Sequence, residues 1–118
     1  MNKPKPRTLS ASPIRHRQAK AVPPIHPGTY LHDELLAELH VSQNALAKAT
    51  GIPVSRINQI VLGRRSVSAE TDLRLCRYFG LSHGFFLRWQ ARYDQLVAER
   101  DHGAEVEAEV TPLELAHV

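Results

Sequence analysis

The stretch SQNALAKATGIPVSRINQIVLGRRS, residues 42–66, decides how the rest of the chain is read. Ser42 is a good N-cap for a short helix, QNALAKAT, which Gly51 brings to an end. A second helix from about Pro53 to Leu62 turns Ile57 and Ile60 inward before Gly63 stops it. About three residues centred on Gly51 separate the two helices, which forces a sharp turn, and Ala47 is small enough to allow close approach. Counted from Gln43, alanine falls at the fifth position, glycine at the ninth, and aliphatic residues at the fifteenth and eighteenth. That is the spacing of a helix-turn-helix.

The outward face of the second helix offers Pro53, Val54, Ser55, Arg56, Asn58 and Gln59, side chains of short or medium reach suited to base edges in a major groove. By geometry Arg56 would pair with guanine, Asn58 or Gln59 with adenine, and Val54 would touch a thymine methyl. Ser42, Gln43 and the turn Gly63, Arg64, Arg65 and Ser66 stand where phosphates would run, fixing register and adding salt-sensitive affinity.

Working outward, apolar residues between Ile25 and Arg100 recur at three and four, without sustained strand alternation, so an all-α bundle of five helices is expected. Pro27 and Gly28 open helix one, whose Leu31, Leu35 and Leu39 form a stripe before it stops near His40. Ser68 caps helix four, about 69 to 79, with Leu73, Leu75, Cys76 and Phe79 as its apolar content and Gly80 beyond its end. Ser82 is the expected cap of helix five, about 83 to 100. Its stripe of Phe85 or Phe86, Trp89, Tyr93 and Leu96 must be buried, either within the bundle or across a two-fold dimer interface. A dimer would set two recognition helices about 34 Å apart and predicts a palindromic operator.

The 118 residues suffice for one domain, and the net charge of +3 conceals three unlike segments. Residues 1–24 hold six Lys/Arg and no acid, residues 25–98 eight against six acids, and residues 99–118 one Arg against six acids. Lys3, Lys5, Arg7, Arg15, Arg17 and Lys20 are scattered among five prolines with little to bury, which predicts a flexible basic arm over 1–24, either a phosphate-seeking arm or a solvated leader. The tail, 101–118, is expected to leave helix at Gly103. It then alternates Glu105, Glu107 and Glu109 with Val106, Ala108 and Val110, a period of two fit for disorder or for adding a strand to a basic partner's sheet edge.

Other chemistry finds little support. His16, His26, His32, His40, His83, His102 and His117 show no metal-ligand spacing, and no metal or cofactor is expected. Cys76 falls on an apolar repeat and reads as a small buried hydrophobe, the default for a lone cysteine in a reducing cytoplasm. No nucleophile arrangement, phosphate-binding glycine loop or paired carboxylate motif is present, so an enzyme is not expected. Nor is a membrane partner, because no apolar run approaches membrane-spanning length and no apolar segment of a signal peptide follows the first lysines.

Residues 25–95 resemble the HigA/VapI branch of the XRE, lambda-repressor-like, helix-turn-helix superfamily, over roughly 70 of the 118 residues. The likeness rests on HPG at His26 to Gly28, on residues 42–75, and on YFG followed by WQARYD. Gly84, where relatives more often have an acidic residue, and Trp89 depart from the pattern. The resemblance implies a lambda-repressor-like bundle over 25–100. It further implies a homodimeric antitoxin of a type II toxin-antitoxin module that represses its own operon by binding double-stranded operator DNA and neutralises a RelE/HigB-like mRNA-cleaving toxin. The alternative is a solitary XRE regulator without a toxin. Nothing in the resemblance assigns a role to the arm or the tail.

Overall fold

The computed structural model describes residues 23–114; the basic arm as far as residue 22 and the final residues 115–118 lie outside them. Helix α1 runs from Pro27 to Leu39 in three contiguous stretches: Pro27–Tyr30 is α-helical, Leu31–Leu36 π-helical and Ala37–Leu39 α-helical. Then follow α2, Gln43–Thr50, α3, Val54–Val61, α4, Ala69–Phe79, and α5, Phe85–Glu109. The bundle is all-α, with no strand among the described residues. α1 packs on α3 and α5, α2 on α3 and α4, and α4 on α5. Together they bury Leu31, Leu36, Leu46, Ile52, Ile57, Ile60, Val67, Leu75, Cys76 and Phe86. Each large apolar side chain so buried contributes about 1.5–3 kcal/mol.

Local chemistry sets most helix limits. Ser42 Oγ accepts from Ala45 N at 3.0 Å and Ser68 Oγ from Thr71 N at 3.3 Å, satisfying N–H groups that the first helical turn leaves open. Gly51 and Gly80, at φ 77° and 73°, close α2 and α4 in the left-handed conformation that only glycine adopts without strain.

Four expectations about the helices need correction. In α1 the buried stripe is Leu31 and Leu36, with Leu35 half-buried and Leu39 56% exposed. The cause is the π-helical stretch: the Ala37 N–H donates to the His32 carbonyl five residues back, so the core-facing position after Leu31 comes five residues on rather than four. In α4, Leu73 is not core but 48% exposed. Asp72 stands three residues before Leu75, four before Cys76 and seven before Phe79, so the inward stripe runs through it, and Leu73 lies about 100° further round the helix.

Helix α5 departs at both ends. Its first residue is Phe85, preceded by Gly84 at φ 92°, and Ser82 contributes only its carbonyl to Phe85 N at 3.1 Å. The side-chain cap comes instead from Asp72 on α4. At the other end, the helix passes through Gly103 to Glu109, so the acidic alternation of 105–110 is wound into helix up to Glu109 rather than extended. Gly103 costs about 1 kcal/mol relative to alanine, but Ala104, Glu105, Glu107, Ala108 and Glu109 favour helix, and His102 pairs with Glu105 one turn on at 3.3 Å. The helix ends at Val110, which is extended at φ −111° and ψ 115°, two residues before Pro112, whose ring in a continued helix would clash with the carbonyl of Ala108.

Only the first part of α5 is anchored. Trp89 Nε1 donates to the Ile25 carbonyl at 2.8 Å, and Gln90 Oε1 accepts from Val67 N at 3.0 Å, tying the helix to the chain before α1 and to the loop before α4. Tyr30 stacks against Phe85 and Trp89, with ring centroids 5.4 and 4.8 Å apart. From Ala98 to Glu109 every residue except Gly103 is exposed, a free length of about 18 Å. Among the described residues no helix is long and apolar enough to cross a membrane.

Candidate nucleic-acid interface

The interface is built on α2, the turn at Gly51, and α3. Ile57 and Ile60 are buried, which fixes the rotation of α3 and leaves Pro53, Val54, Ser55, Asn58 and Gln59 exposed along one side. Arg56 does not share that side. It lies about 160° around the helix from Asn58 and is half-buried at the flank, so the middle of the outward face is Ser55, Asn58 and the exposed Leu62. Pro53 carries no capping side chain, and the first N–H groups of α3 stand at an exposed end bearing the positive pole of the helix dipole.

Side-chain bonds orient the polar face. Asn58 Nδ2 donates to Gln43 Oε1 at 3.3 Å, joining the N-terminus of α2 to the middle of α3. Arg65 Nε donates to Gln59 Oε1 at 3.1 Å, while Arg64 N bonds the Gln59 carbonyl at 2.8 Å, so the turn after α3 is folded back on the helix. Ser42, Gly63, Arg64, Arg65 and Ser66 are exposed, and Gln43 is half-buried. Residues 42–66 contain Lys48, Arg56, Arg64 and Arg65 and no Asp or Glu. An acid-free segment that sets Arg64 and Arg65 beside a row of neutral hydrogen-bonding side chains suits a polyanion whose interior edges can be read.

Several residues that shape this surface lie outside residues 42–66. Arg74 on α4 donates from Nη1 to the Thr50 carbonyl at 2.9 Å, capping α2, and is held by Glu70 at 3.0 Å. Asp72 is 1% exposed and accepts from Gly84 N, Phe86 N and Leu87 N at 2.6, 2.8 and 3.2 Å. His26 caps α1, its Nδ1 accepting from Gly28 N at 2.9 Å. Phe86 of the aromatic stripe is fully buried, whereas Phe85, Trp89, Tyr93 and Leu96 are half-buried. The Cys76 thiol is buried, and burial pushes its pKa up. Among the described residues no three His, Cys, Asp or Glu side chains are grouped so as to hold a metal ion.

Geometry and sequence together define a helix-turn-helix domain of the lambda-repressor type. The helix-turn-helix family model matches residues 33–86. The chain is 46% identical over 80 residues to virulence-associated protein I of Dichelobacter nodosus, covering 68% of this chain and 74% of that protein. Among solved structures it is similar to the Pseudomonas aeruginosa antitoxin HigA with the higBA promoter, at 40% identity and TM-score 0.74, covering 77% of this chain and 99% of that one. An addiction module antidote protein of the HigA family from Coxiella burnetii is 42% identical, with TM-score 0.74 and coverage of 78% and 100%. The antitoxin GraA in complex with its operator is 36% identical, with TM-score 0.75 and coverage of 80% and 95%. The chain belongs to the HigA/VapI branch of the XRE-type helix-turn-helix family, a family of regulators and antitoxins rather than enzymes.

Proposed function

We propose that the chain is the antitoxin of a type II toxin-antitoxin module, a cytoplasmic homodimer that represses its own operon and neutralises a RelE/HigB-like toxin. The observation that carries the DNA half is the acid-free surface of residues 42–66, presented on a fold shared with an antitoxin solved on its promoter and another on its operator. In this reading α3 enters the major groove, with Ser55, Asn58 and Gln59 facing base edges and Val54 and Arg56 at the margin. Ser42, Gln43 and the turn Gly63, Arg64, Arg65 and Ser66 take phosphates on either side. The half-exposed rings of Phe85, Trp89 and Tyr93, with Leu96, are the surface for a two-fold partner, and a two-fold protein requires a palindromic operator.

The test of base reading is anisotropy of a duplex taken from upstream of the gene against random DNA. Asn58→Ala is expected to lose about 10- to 100-fold on the upstream duplex and little on random DNA. Arg64→Ala is expected to weaken both alike and reduce the salt slope by about one. Equal losses from both substitutions on both DNAs would overturn base reading by α3.

For the toxin half, the supporting observation is the free end of α5, where Glu99, Asp101, Glu105, Glu107 and Glu109 are all exposed beside Val106 and Val110. An acidic helix with interspersed valines suits a basic, partly apolar protein surface. Co-expression with the neighbouring open reading frame is expected to yield a co-purifying complex that deletion of residues 104–118 weakens without loss of DNA binding. A chain that binds its promoter but retains no neighbouring product would instead be a solitary regulator.

A further inference from the structure

The segment before α1 meets the turn after α3 at one buried side chain. His26 is 8% exposed, and its one side-chain hydrogen bond is that of Nδ1, which accepts from Gly28 N at 2.9 Å. The imidazole lies so close against Gly63 that a Cβ there would meet the ring at 3.7 Å. Tyr93 of α5 closes the other side edge-on, with centroids 5.0 Å apart and planes at 75°. The ring therefore touches α1, α5 and the turn that carries Arg64 and Arg65.

We infer that His26 is a positioning residue for the phosphate-facing turn: its neutral imidazole clasps Gly63–Arg65 to the N-terminus of α1, and protonation of the ring opens the clasp and weakens DNA binding. This rests on the reading of that turn as a phosphate contact. A neutral ring accepts from Gly28 N with the Nδ1 lone pair; a protonated ring sets one N–H against another there, and the cap is lost. The charged and titratable groups facing the ring are Asp94 and Tyr93 from α5, with only the backbone of Arg65 from the turn. Burial lowers the His26 pKa, partly offset by the Asp94 charge and the Arg65 backbone. A histidine lowered in the folded state contributes stability in full above its ordinary value of 6.5 and loses it progressively as pH falls from there through its lowered folded value. The sign is diagnostic, because an added positive charge near phosphates would by itself strengthen DNA binding on acidification.

The test uses the full chain, with NMR of the free protein and anisotropy of the upstream duplex at constant ionic strength. The amides of Gly63, Arg64, Arg65 and Ser66 are expected to shift with the midpoint at which the His26 ring titrates. Between about pH 7.5 and about pH 5.5 the affinity is expected to fall about threefold more in the wild type than in His26→Asn, whose side chain keeps an acceptor for Gly28 N but does not titrate. Turn amides that stay still while His26 titrates, or one pH profile shared by wild type and variant, would overturn the inference. Failure of the wild type to bind the duplex at any pH would overturn the operator reading instead, while the NMR arm, which needs neither DNA nor the variant, still decides the clasp.

Discussion

Replacing Asp72 by alanine is expected to cost about 3–5 kcal/mol and to lower the melting temperature by about 15 °C or more. The carboxylate is buried at the start of α5, where it accepts three backbone N–H bonds, from Gly84, Phe86 and Leu87. Without it the first turn of the longest helix is left with open donors in a site closed by Phe86 and Cys76, each worth about 1–3 kcal/mol to leave unmet, less whatever water recovers. The same carboxylate compensates the positive pole of the α5 dipole. Asp72→Asn restores acceptance at one oxygen but turns an NH2 toward one of the donors, so it is expected to fall between wild type and Asp72→Ala. Thermal and urea unfolding followed by circular dichroism measures both variants; a loss below about 1 kcal/mol for Asp72→Ala would show that α5 docks by apolar packing alone.

Gly28→Ala is the second large effect, expected at about 3 kcal/mol or more and accompanied by loss of DNA binding. A Cβ at this position would overlap the Ile60 carbonyl oxygen and stand 2.7 Å from its carbon. Both partners are backbone, so no side-chain rotation relieves the overlap, and α1 must lift from the last turn of α3. The Ile60 carbonyl also accepts from Gly63 N at 2.9 Å, so the displacement enters the arginine turn directly. Gly103→Ala supplies the contrast: a Cβ there meets nothing within 4 Å, and the same change in a helix interior is expected to stabilise by about 1 kcal/mol. Melting curves of the two variants moving in opposite directions is the expected result; Gly28→Ala melting with the wild type would mean that α1 rides loosely on α3.

The pairing of α2 with α3 was legible because it is written in short-range terms: a serine cap, a small residue, a glycine with positive φ, and inward isoleucines. Helix α4 was legible for the same reason, bounded by Ser68 and Gly80. What the sequence hid depends on distant partners or on irregular winding. Asp72 reads as one more acid in the first turn of α4 until the N-terminus of α5 is seen above it, though its place one step before Leu75 and Cys76 on the inward repeat was a signal. His26 reads as part of a turn until the Gly63 loop closes over it. A repeat of 3.6 applied evenly to α1 misplaces Leu39, because the π-helical stretch resets the phase. An outward face holding both Arg56 and Asn58 is broken by the helix itself, which separates them by nearly half a turn.

The free end of α5 gives any partner that grips it a thermodynamic advantage. A detached peptide of about 12 residues would be a marginal helix in water, chiefly because its first turn is costly to nucleate. Here that turn is already formed, held by Asp72 and by the bonds of Trp89 and Gln90, so Ala98–Glu109 only has to propagate. A protein docking on the acidic end therefore meets its ligand already wound, and the association loses little conformational entropy to ordering, unlike coupled folding of a disordered tail.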